Sequence, residues 1–442
     1  MRCFTIPRSG FCKLSFNLFG FCLASFSIGA PATTYTLDDL IQQGLMSYPS
    51  VLSRQSSRDA AQTDLTAAKL KFLPNPSFNT QRNQVRFDGG QTSNQMPSTN
   101  VSVTQPLFLD GGIIAGYNKA DARLSAADYA LLETREDICK RIINLYADWL
   151  KAWLKVQALE ESVRLHERLA SMITRRFDQG VSAGVDRDLG ASRLMQAKAE
   201  LDTQRSLEES ALTSLSELVG NVIDRKSLMG SPAKQALVPR RVEGISRAQM
   251  QSVTVQKYKY EAEAAEQEAK EIRSQTLPQL SLQAQRQIGN AYYPGSQGFN
   301  AVGLVVNYVP GGGLSNIVGA NAAVERARAA RYQIDTAKRE LSDRLNADYN
   351  EYEFALLRKE SLRQSANLSG DISASYDRQY MAGRKSWLDL MNAVREQAQT
   401  KMQVADAEGS LVASSRRLMV YIDGVALYES LPDGINSKNL KP

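Results

Sequence analysis

The chain has 442 residues, of which 43% are hydrophobic and 23% charged, with a formal net charge of +6, four cysteines and one histidine. One histidine and four cysteines argue against an enzyme or a metal centre built on these residues. A net charge this small on so long a chain gives no argument for nucleic-acid binding. We therefore expect no catalytic residues, no cofactor and no nucleic-acid partner.

The first 32 residues have the pattern of a secretory signal peptide. Three basic residues and no acidic ones accompany an apolar run, and small residues lead to a cleavage site after Ala32. Cleavage there leaves 410 residues with a net charge of +3 and only Cys139, so no internal disulfide is expected. The bulky Phe21 before Cys22 does not fit a lipoprotein cleavage site, which argues against a lipid anchor.

The rest of the sequence is duplicated. At an offset of 203 residues Tyr146 matches Tyr349 and Gly180 matches Gly383, and seven further pairs follow the same offset within about 90 positions. A constant offset of this kind indicates an internal repeat. The predicted divisions are a signal peptide 1–32, a first structural repeat 33–235, a linker 236–245, a second structural repeat 246–425 and a C-terminal tail 426–442.

Each repeat is predicted to begin with a helix and a pair of strands. Polar, alanine-rich sequence with helical spacing runs from Leu37 to Lys71, where two prolines stop it. The helical period is then lost, and the following segments alternate as strands do. This predicts β-hairpins over 77–108 and 279–309, with strands of about ten residues, the length that a tilted transmembrane strand needs. Beyond the signal peptide, no apolar run approaches the ~20 residues of a transmembrane helix.

A long helical hairpin is predicted to follow each strand pair. Apolar residues recur every seven positions from Leu131 to Ile173, with His166 as the exception, which predicts left-handed supercoiling against neighbouring helices. At 1.5 Å per residue, a 65-residue helix is a rod of roughly 100 Å. The return helix of the hairpin and the first helix of the repeat have about the same length. Laid end to end, these two short helices would match the length of the long helix. The helical hairpins are predicted over 113–222 and 314–422.

The strand count predicts an assembly of several chains. Four strands cannot close a membrane barrel, since single-chain barrels have at least about eight. An open sheet in lipid would leave backbone groups unpaired at several kcal/mol each. The predicted fold class is therefore mainly α with a membrane β-barrel portion, built from a duplicated unit of strand hairpin and long helical hairpin.

The sequence resembles the TolC-like outer membrane factors, or outer membrane efflux proteins, of Gram-negative export systems. The resemblance rests on Leu73-Pro74, the strand exit 105–112, and the tip motifs Phe177-x-x-Gly180 and Tyr380-x-x-Gly383. It implies a homotrimer with a twelve-stranded β-barrel in the cell outer membrane and a long α-helical barrel in the periplasm. The implied partners are a periplasmic adaptor (membrane fusion protein), an inner-membrane ABC transporter or proton-driven pump, and outer-membrane lipid.

By the same resemblance, the two inter-helix turns form the periplasmic mouth. The tip motifs map a periplasmic gate onto Asp186, Tyr380 and Lys385, held by polar contacts between neighbouring helix pairs. Lys385 replaces an arginine that is frequent in the family, which gives up the bidentate fork and predicts a weaker latch. The alternative is that Asp186 and Asp389 only start helices and that Lys385 is a solvated turn residue.

Two further groups of residues are mapped in the same way. The inner constriction falls on Asp389 and Asn392; because Asn392 stands where the family has a second acid, a trimer would carry a single ring of three carboxylates. Adaptor contacts fall on the turn residues Gly180, Val181, Gly383 and Arg384, with ordinary turn chemistry as the alternative. His166 occupies a heptad position and is predicted to be a polar residue of the helix seam.

The sequence thus predicts a passive outer-membrane exit duct and not an enzyme. The absence of a lipoprotein site favours the type I protein secretion branch, with adhesin- or toxin-class cargo. A small-molecule or multidrug efflux duct is the alternative within the fold. A periplasmic coiled-coil adaptor without a pore is the alternative of another class.

Overall fold

The computed structural model describes residues 34–82, 85–86, 92–93, 97–108, 111–229, 233–289, 298–309 and 315–425. The predicted signal peptide 1–32, the C-terminal tail 426–442 and most of both strand connectors lie outside the described residues. The helices are α1 Leu37–Ser47, α2 Pro49–Leu70, α3 Gly112–Asp178, α4 Gly184–Val219, α5 Arg225–Met229, α6 Arg241–Gln251, α7 Val253–Ser274, α8 Ser315–Met381 and α9 Trp387–Asp423. The strands are β1 Asn75–Gln81, β2 Val85–Arg86, β3 Thr92–Ser93, β4 Ser98–Phe108, β5 Gln279–Ile288 and β6 Phe299–Asn307.

The predicted fold class is confirmed by this order of elements. A helix pair, a pair of sheet strands, a 67-residue helix and a shorter return helix occur once in each half of the chain. Among the described residues, no helix is both long enough and apolar enough to cross a membrane.

The first helix of each repeat is interrupted, which corrects the single helix expected over 37–71. Tyr48 takes an extended backbone conformation and Pro49 starts α2, where its missing N–H is not needed. In the second repeat the break is at Ser252, whose hydroxyl accepts a hydrogen bond from the Val255 N–H and caps α7.

The linker predicted over 236–245 is also corrected, because α6 begins at Arg241. Gly244 lies inside this helix, where a sequence interpretation treats glycine as a breaker. The structure explains the glycine, since a Cβ at this position would collide with the hydroxyl of Tyr349 and approach Ile422 to 3.2 Å. The helix therefore packs at close range against α8 and α9.

The return helix α4 continues into α2 alongside α3. The Ser47 hydroxyl at the end of α1 donates to the Val219 carbonyl oxygen at 2.9 Å, and the Asn221 amide donates to Gln43 at 3.2 Å. The end of α4 thus meets the chain just before Pro49 begins α2. Because α2 and α4 both pack on α3, the predicted end-to-end stacking of two short helices against one long helix is confirmed.

The four main strands form one antiparallel sheet in the order β1-β4-β5-β6. β4 and β5 are the central pair and join the two halves of the chain, with Val103 opposite Ala284. β1 and β6 are the edge strands. The register shifts between Pro106 and Phe108, so β4 carries a bulge close to its exit toward α3.

The register of this sheet separates apolar from polar side chains. One face carries Phe78, Val101, Val103, Leu280, Leu282, Ala284, Val302, Leu304 and Val306. The other face carries Ser77, Asn79, Ser102, Thr104, Gln279, Ser281, Gln283, Gln285 and Gln287. Gln105, Arg286 and Asn300 interrupt the apolar face, and Phe299 and Val305 lie on the polar one.

Apolar clusters hold the helices together in layers along α3. The largest lies where α1, α4 and α9 meet α3, around Tyr146 and Trp149, whose rings are 5.3 Å apart. The buried Cys139 belongs to this cluster, and burial raises the pKa of its thiol to about 12. A separate cluster around Tyr380 and Trp387 fastens the ends of α3, α8 and α9 next to the inter-helix turns.

Candidate functional site: the two inter-helix turns

The two turns between long helices share one backbone geometry. Gly180 and Gly383 end the preceding helices with φ of 73° and 72°, a left-handed conformation that glycine adopts without strain. The Val181 N–H donates to the Arg176 carbonyl oxygen at 2.9 Å, and the Arg384 N–H donates to the equivalent Gln379 carbonyl oxygen at 2.8 Å. The four residues predicted as adaptor contacts are exposed, with Val181 at 62%. The two glycines end their helices whether or not these turns also contact an adaptor.

The helix that follows each turn begins differently in the two repeats. α9 begins with a capping box, in which the Asp389 N–H donates to the Ser386 hydroxyl at 3.1 Å and the Ser386 N–H donates to the Asp389 carboxylate at 3.4 Å. The Asp186 carboxylate in the first turn of α4 makes no hydrogen bond or ion pair with the residues that the structure describes. It still lies at the positive end of the helix dipole.

Lys385 and Asp389 are brought together within their own turn. The Lys385 ammonium lies 4.0 Å from the Asp389 carboxylate and 4.5 Å from the centre of the Tyr376 ring. Hydrogen bonds from Ser386 hold the pKa of the Asp389 carboxyl below its ordinary value, and Lys385 acts in the same direction. Asp389 thus takes part in capping α9, whereas Asp186 lies in the first turn of α4 without a capping hydrogen bond.

The third predicted gate residue has a different environment. Tyr380 is only 5% exposed and packs against Trp387, with ring centres 5.9 Å apart, beneath the guanidinium of Arg176 at 5.2 Å. Within the described part of the chain, no hydrogen bond or ion pair joins Asp186 to Tyr380 or Lys385. Asn392 accepts a hydrogen bond from Arg395 at 3.4 Å, one turn further along α9.

The contact that joins the two helical hairpins near the turns was missed by the sequence interpretation. A Cβ on Gly190 of α4 would lie 3.2 Å from the Trp387 ring of α9 and 3.1 Å from the Ile173 side chain of α3. Arg168 of α3 also pairs with Asp377 of α8 at 2.9 Å. A tryptophan directly after a turn and a glycine inside a helix were the available signals, but periodicity does not say which helices become neighbours.

The described residues contain no group of three or more histidines, cysteines and carboxylates that could hold a metal ion. The arrangement at the turns consists of caps, a cation over an aromatic ring and one close ion pair. These contacts fix where the helix ends lie.

Comparison with known proteins relates the chain to one family. The sequence profile of the outer membrane efflux protein family matches residues 40–221. The chain is 21% identical over 415 residues to the outer membrane protein TolC of Salmonella enteritidis, covering 89% of this chain and 83% of that protein. It is 20% identical over 464 residues to TolC of Escherichia coli strain K12, covering 97% and 92%.

Solved structures of outer-membrane channels have a similar fold. The crystal structure of the outer membrane protein VceC from Vibrio cholerae superposes with a TM-score of 0.73 at 16% identity, covering 88% of this chain and 96% of that one. The family profile, the two TolC proteins and the shared fold agree with one another. The chain is thus similar to the outer membrane efflux proteins over residues 40–221 and to the TolC proteins over most of its length, and it shares its fold with VceC.

Proposed function

We propose that this protein is a passive exit duct of a tripartite export machine, assembled from three identical chains. The observation that carries the proposal is the two-faced sheet. Val302, Leu304 and Val306 are 75%, 65% and 66% exposed, whereas Gln283 and Gln285 on the polar face are half-buried. This inverts the burial of a water-soluble sheet and suits a wall with lipid outside and water inside.

The sheet edges supply the argument for several chains. β1 and β6 each have one unpaired edge within the described residues, and unpaired backbone groups in lipid cost several kcal/mol each. Pairing β6 of one protomer with β1 of the next satisfies both edges. Three chains give twelve strands, with the long helices of each chain continuing as the tunnel.

In this duct the inter-helix turns form the periplasmic gate. Asp186, Tyr380 and Lys385 hold the closed arrangement, Tyr380 through its packing under Arg176 and Lys385 through its partner in α9. The free Asp186 carboxylate is available to a neighbouring chain. The exposed turn residues Gly180, Val181, Gly383 and Arg384 contact the periplasmic adaptor.

The constriction of the duct is formed by α9. Asp389 and Asn392 face the narrowest part, and three-fold symmetry gives one ring of three carboxylates. The lowered pKa keeps Asp389 charged at neutral pH, so the ring attracts cations. The inner-membrane pump, an ABC transporter or a proton-driven protein, supplies the energy of transport.

For the cargo we propose the type I secretion branch, with protein substrates of the adhesin or toxin class. The absence of a lipoprotein site before Cys22 supports it. Small-molecule efflux is the second candidate, which the description of the matched family as efflux proteins favours. Complementing a tunnel-deficient host and measuring secreted protein against drug resistance distinguishes the two cargoes.

The membrane role is tested by two arginine substitutions on opposite faces of the sheet. Leu304→Arg puts a charge on the apolar face and costs about 2–4 kcal/mol near the bilayer midplane. Gln285→Arg is the matched control on the polar face. We expect Leu304→Arg to lose the heat-modifiable trimer in the outer-membrane fraction and Gln285→Arg to retain it. Equal trimer levels in the two variants would contradict the lipid-facing assignment, and a soluble wild-type monomer would contradict the duct.

A further inference from the structure

A cavity of about 290 Å³ lies where α3, α4 and α9 meet, within about five helical turns of the inter-helix turns. Its lining combines polar and apolar side chains, and most of the polar ones are exposed to solvent. The side chains that matter for its chemistry are His166 from α3, Arg193 and Glu200 from α4, and Asn392 and Arg395 from α9. None of the roles assigned to the duct above uses His166 or either arginine.

The two arginines of the cavity have no acidic partner in the part of the chain that the structure describes. Within the described residues neither guanidinium of Arg193 and Arg395 has a carboxylate within 4.0 Å, and their hydrogen bonds go to the neutral amides of Gln196 and Asn392. Elsewhere in the helix seams, arginines find carboxylates, as Arg417 does with Asp348 at 2.7 Å. Two guanidiniums and the single carboxylate of Glu200 leave the lining with a net positive charge.

The histidine has a defined hydrogen-bonding state. His166 is only 6% exposed, and its Nδ1 lies 2.8 Å from the Ser162 carbonyl oxygen. Because a carbonyl oxygen can only accept, Nδ1 carries the proton and donates it. Burial lowers the pKa of the imidazole, and Arg193 acts in the same direction, so the ring is neutral at pH 8. Nε2 then has a free lone pair and no partner among the described residues.

We propose that this cavity is a binding site for a small hydroxylated oxyanion of the phosphate class. Arg193 and Arg395 neutralise the negative oxygens through charge-assisted hydrogen bonds, for which the guanidinium fork is well suited. Nε2 of His166 accepts a hydrogen bond from the P–OH group, which hydrogen phosphate has and sulfate lacks. The Asn392 and Gln196 amides, now engaged by the arginines, supply additional donors.

The position of the site gives such an anion a structural effect. Arg193 belongs to the first helical hairpin and Arg395 to the second. An oxyanion held by both links α4 to α9 through a bridge that the protein alone does not have. Phosphate binding therefore stabilises the arrangement in which the two hairpins lie together, next to the Gly190 and Trp387 contact.

The site is tested by calorimetric titration of the detergent-solubilised full-length protein with inorganic phosphate and with sulfate at pH 8. Both anions carry two charges at this pH, so charge alone does not separate them. We expect saturable phosphate binding and sulfate binding that is about fivefold weaker, the effect of losing one hydrogen bond at a site whose Arg395 side is open to solvent. The unfolding temperature rises with phosphate by mass action.

Three variants connect the binding to the named residues. The double variant Arg193→Gln and Arg395→Gln should weaken phosphate binding by about tenfold or more, since two charge-assisted bonds are lost. The matched double variant Arg326→Gln and Arg363→Gln removes two exposed arginines of α8 and should bind as the wild type does. His166→Leu places an apolar side chain at this heptad position, as at the other positions of the stripe. Because it removes the Nε2 acceptor, it should abolish the preference for phosphate over sulfate.

An arsenate soak of wild-type crystals keeps the proposal testable if the double variant fails to fold, because arsenate has the same hydroxyl group and a strong anomalous signal. Arsenate in the cavity supports the site. The proposal is overturned by anomalous density only elsewhere, by no saturable phosphate binding, by equal binding of sulfate, or by unchanged binding in the folded double variant.

Discussion

Glu136 in α3 is a buried carboxylate without a direct partner, and it predicts how stability depends on pH. Its side chain is 7% exposed and makes no hydrogen bond with the described residues. Burial raises its pKa to about 7; Lys140 opposes the shift, and Asp137 and Glu133 add to it. At pH values where most carboxylates are ionised, ionisation of Glu136 therefore destabilises the folded state.

The sign and size of the effect follow from linkage. The folded state binds the Glu136 proton more tightly than the unfolded state, so the stabilisation is complete below the ordinary value of 4.5 and is lost as pH rises to about 7. Each tenfold difference in proton affinity is worth about 1.4 kcal/mol, which makes the loss about 3 kcal/mol. The loss is complete at pH 8.

The assay compares the wild type with Glu136→Gln, which keeps the shape and removes the charge. We expect equal free energies of unfolding at pH 4.5 and a variant about 3 kcal/mol more stable at pH 8, from urea unfolding followed by helical circular dichroism. Glu209→Gln, an exposed carboxylate of α4, is the matched control and should be neutral at both pH values. A gain for Glu136→Gln that is the same at both pH values would refute the reasoning.

The remaining predictions concern α9. Arg417→Met leaves the partly buried carboxylate of Asp348 without its closest partner and should cost about 3 kcal/mol in urea unfolding, whereas Arg331→Met breaks an exposed pair and should leave the stability nearly unchanged. Trp387→Ala should cost about 3–5 kcal/mol and raise closed-state conductance in planar bilayers; a stable variant with wild-type conductance would separate this contact from the gate. Asp389→Ala should reduce cation selectivity in the same bilayers, and unchanged selectivity would remove it from the constriction.

The duplicated plan and the long helices could be predicted because their signals are local. The predicted start of the long helix at 113 and the observed start at Gly112 differ by one residue. The alternative that Asp389 starts the last helix places that start two residues after the observed one at Trp387, because Ser386 and not the aspartate is the N-cap. The heptad stripe and the turn glycines are properties of single segments, which a sequence displays directly.

The parts that could not be predicted depend on which segments become neighbours. At Gly244 the Tyr349 hydroxyl occupies the space that a Cβ would fill, and at Gly190 the Trp387 ring packs directly against the helix backbone. Both glycines therefore depend on a residue far away in the sequence. The burial of Tyr380 and the local pairing of Lys385 depend in the same way on tertiary packing. Hydrophobic periodicity shows which face of a helix is buried, but it does not show which other helix packs against that face.

The central pairing of the sheet has a consequence for the order of folding. Each helical hairpin closes through a short turn and involves only residues near one another in the chain, whereas β4 must pair with β5, with Thr99 opposite Ile288. During synthesis and export the first half emerges with β4 unpaired along the edge that β5 later covers. An apolar strand edge of this kind is a template for wrong pairing between molecules. Nascent chains of this protein are therefore most exposed to aggregation in the interval between the emergence of the two repeats.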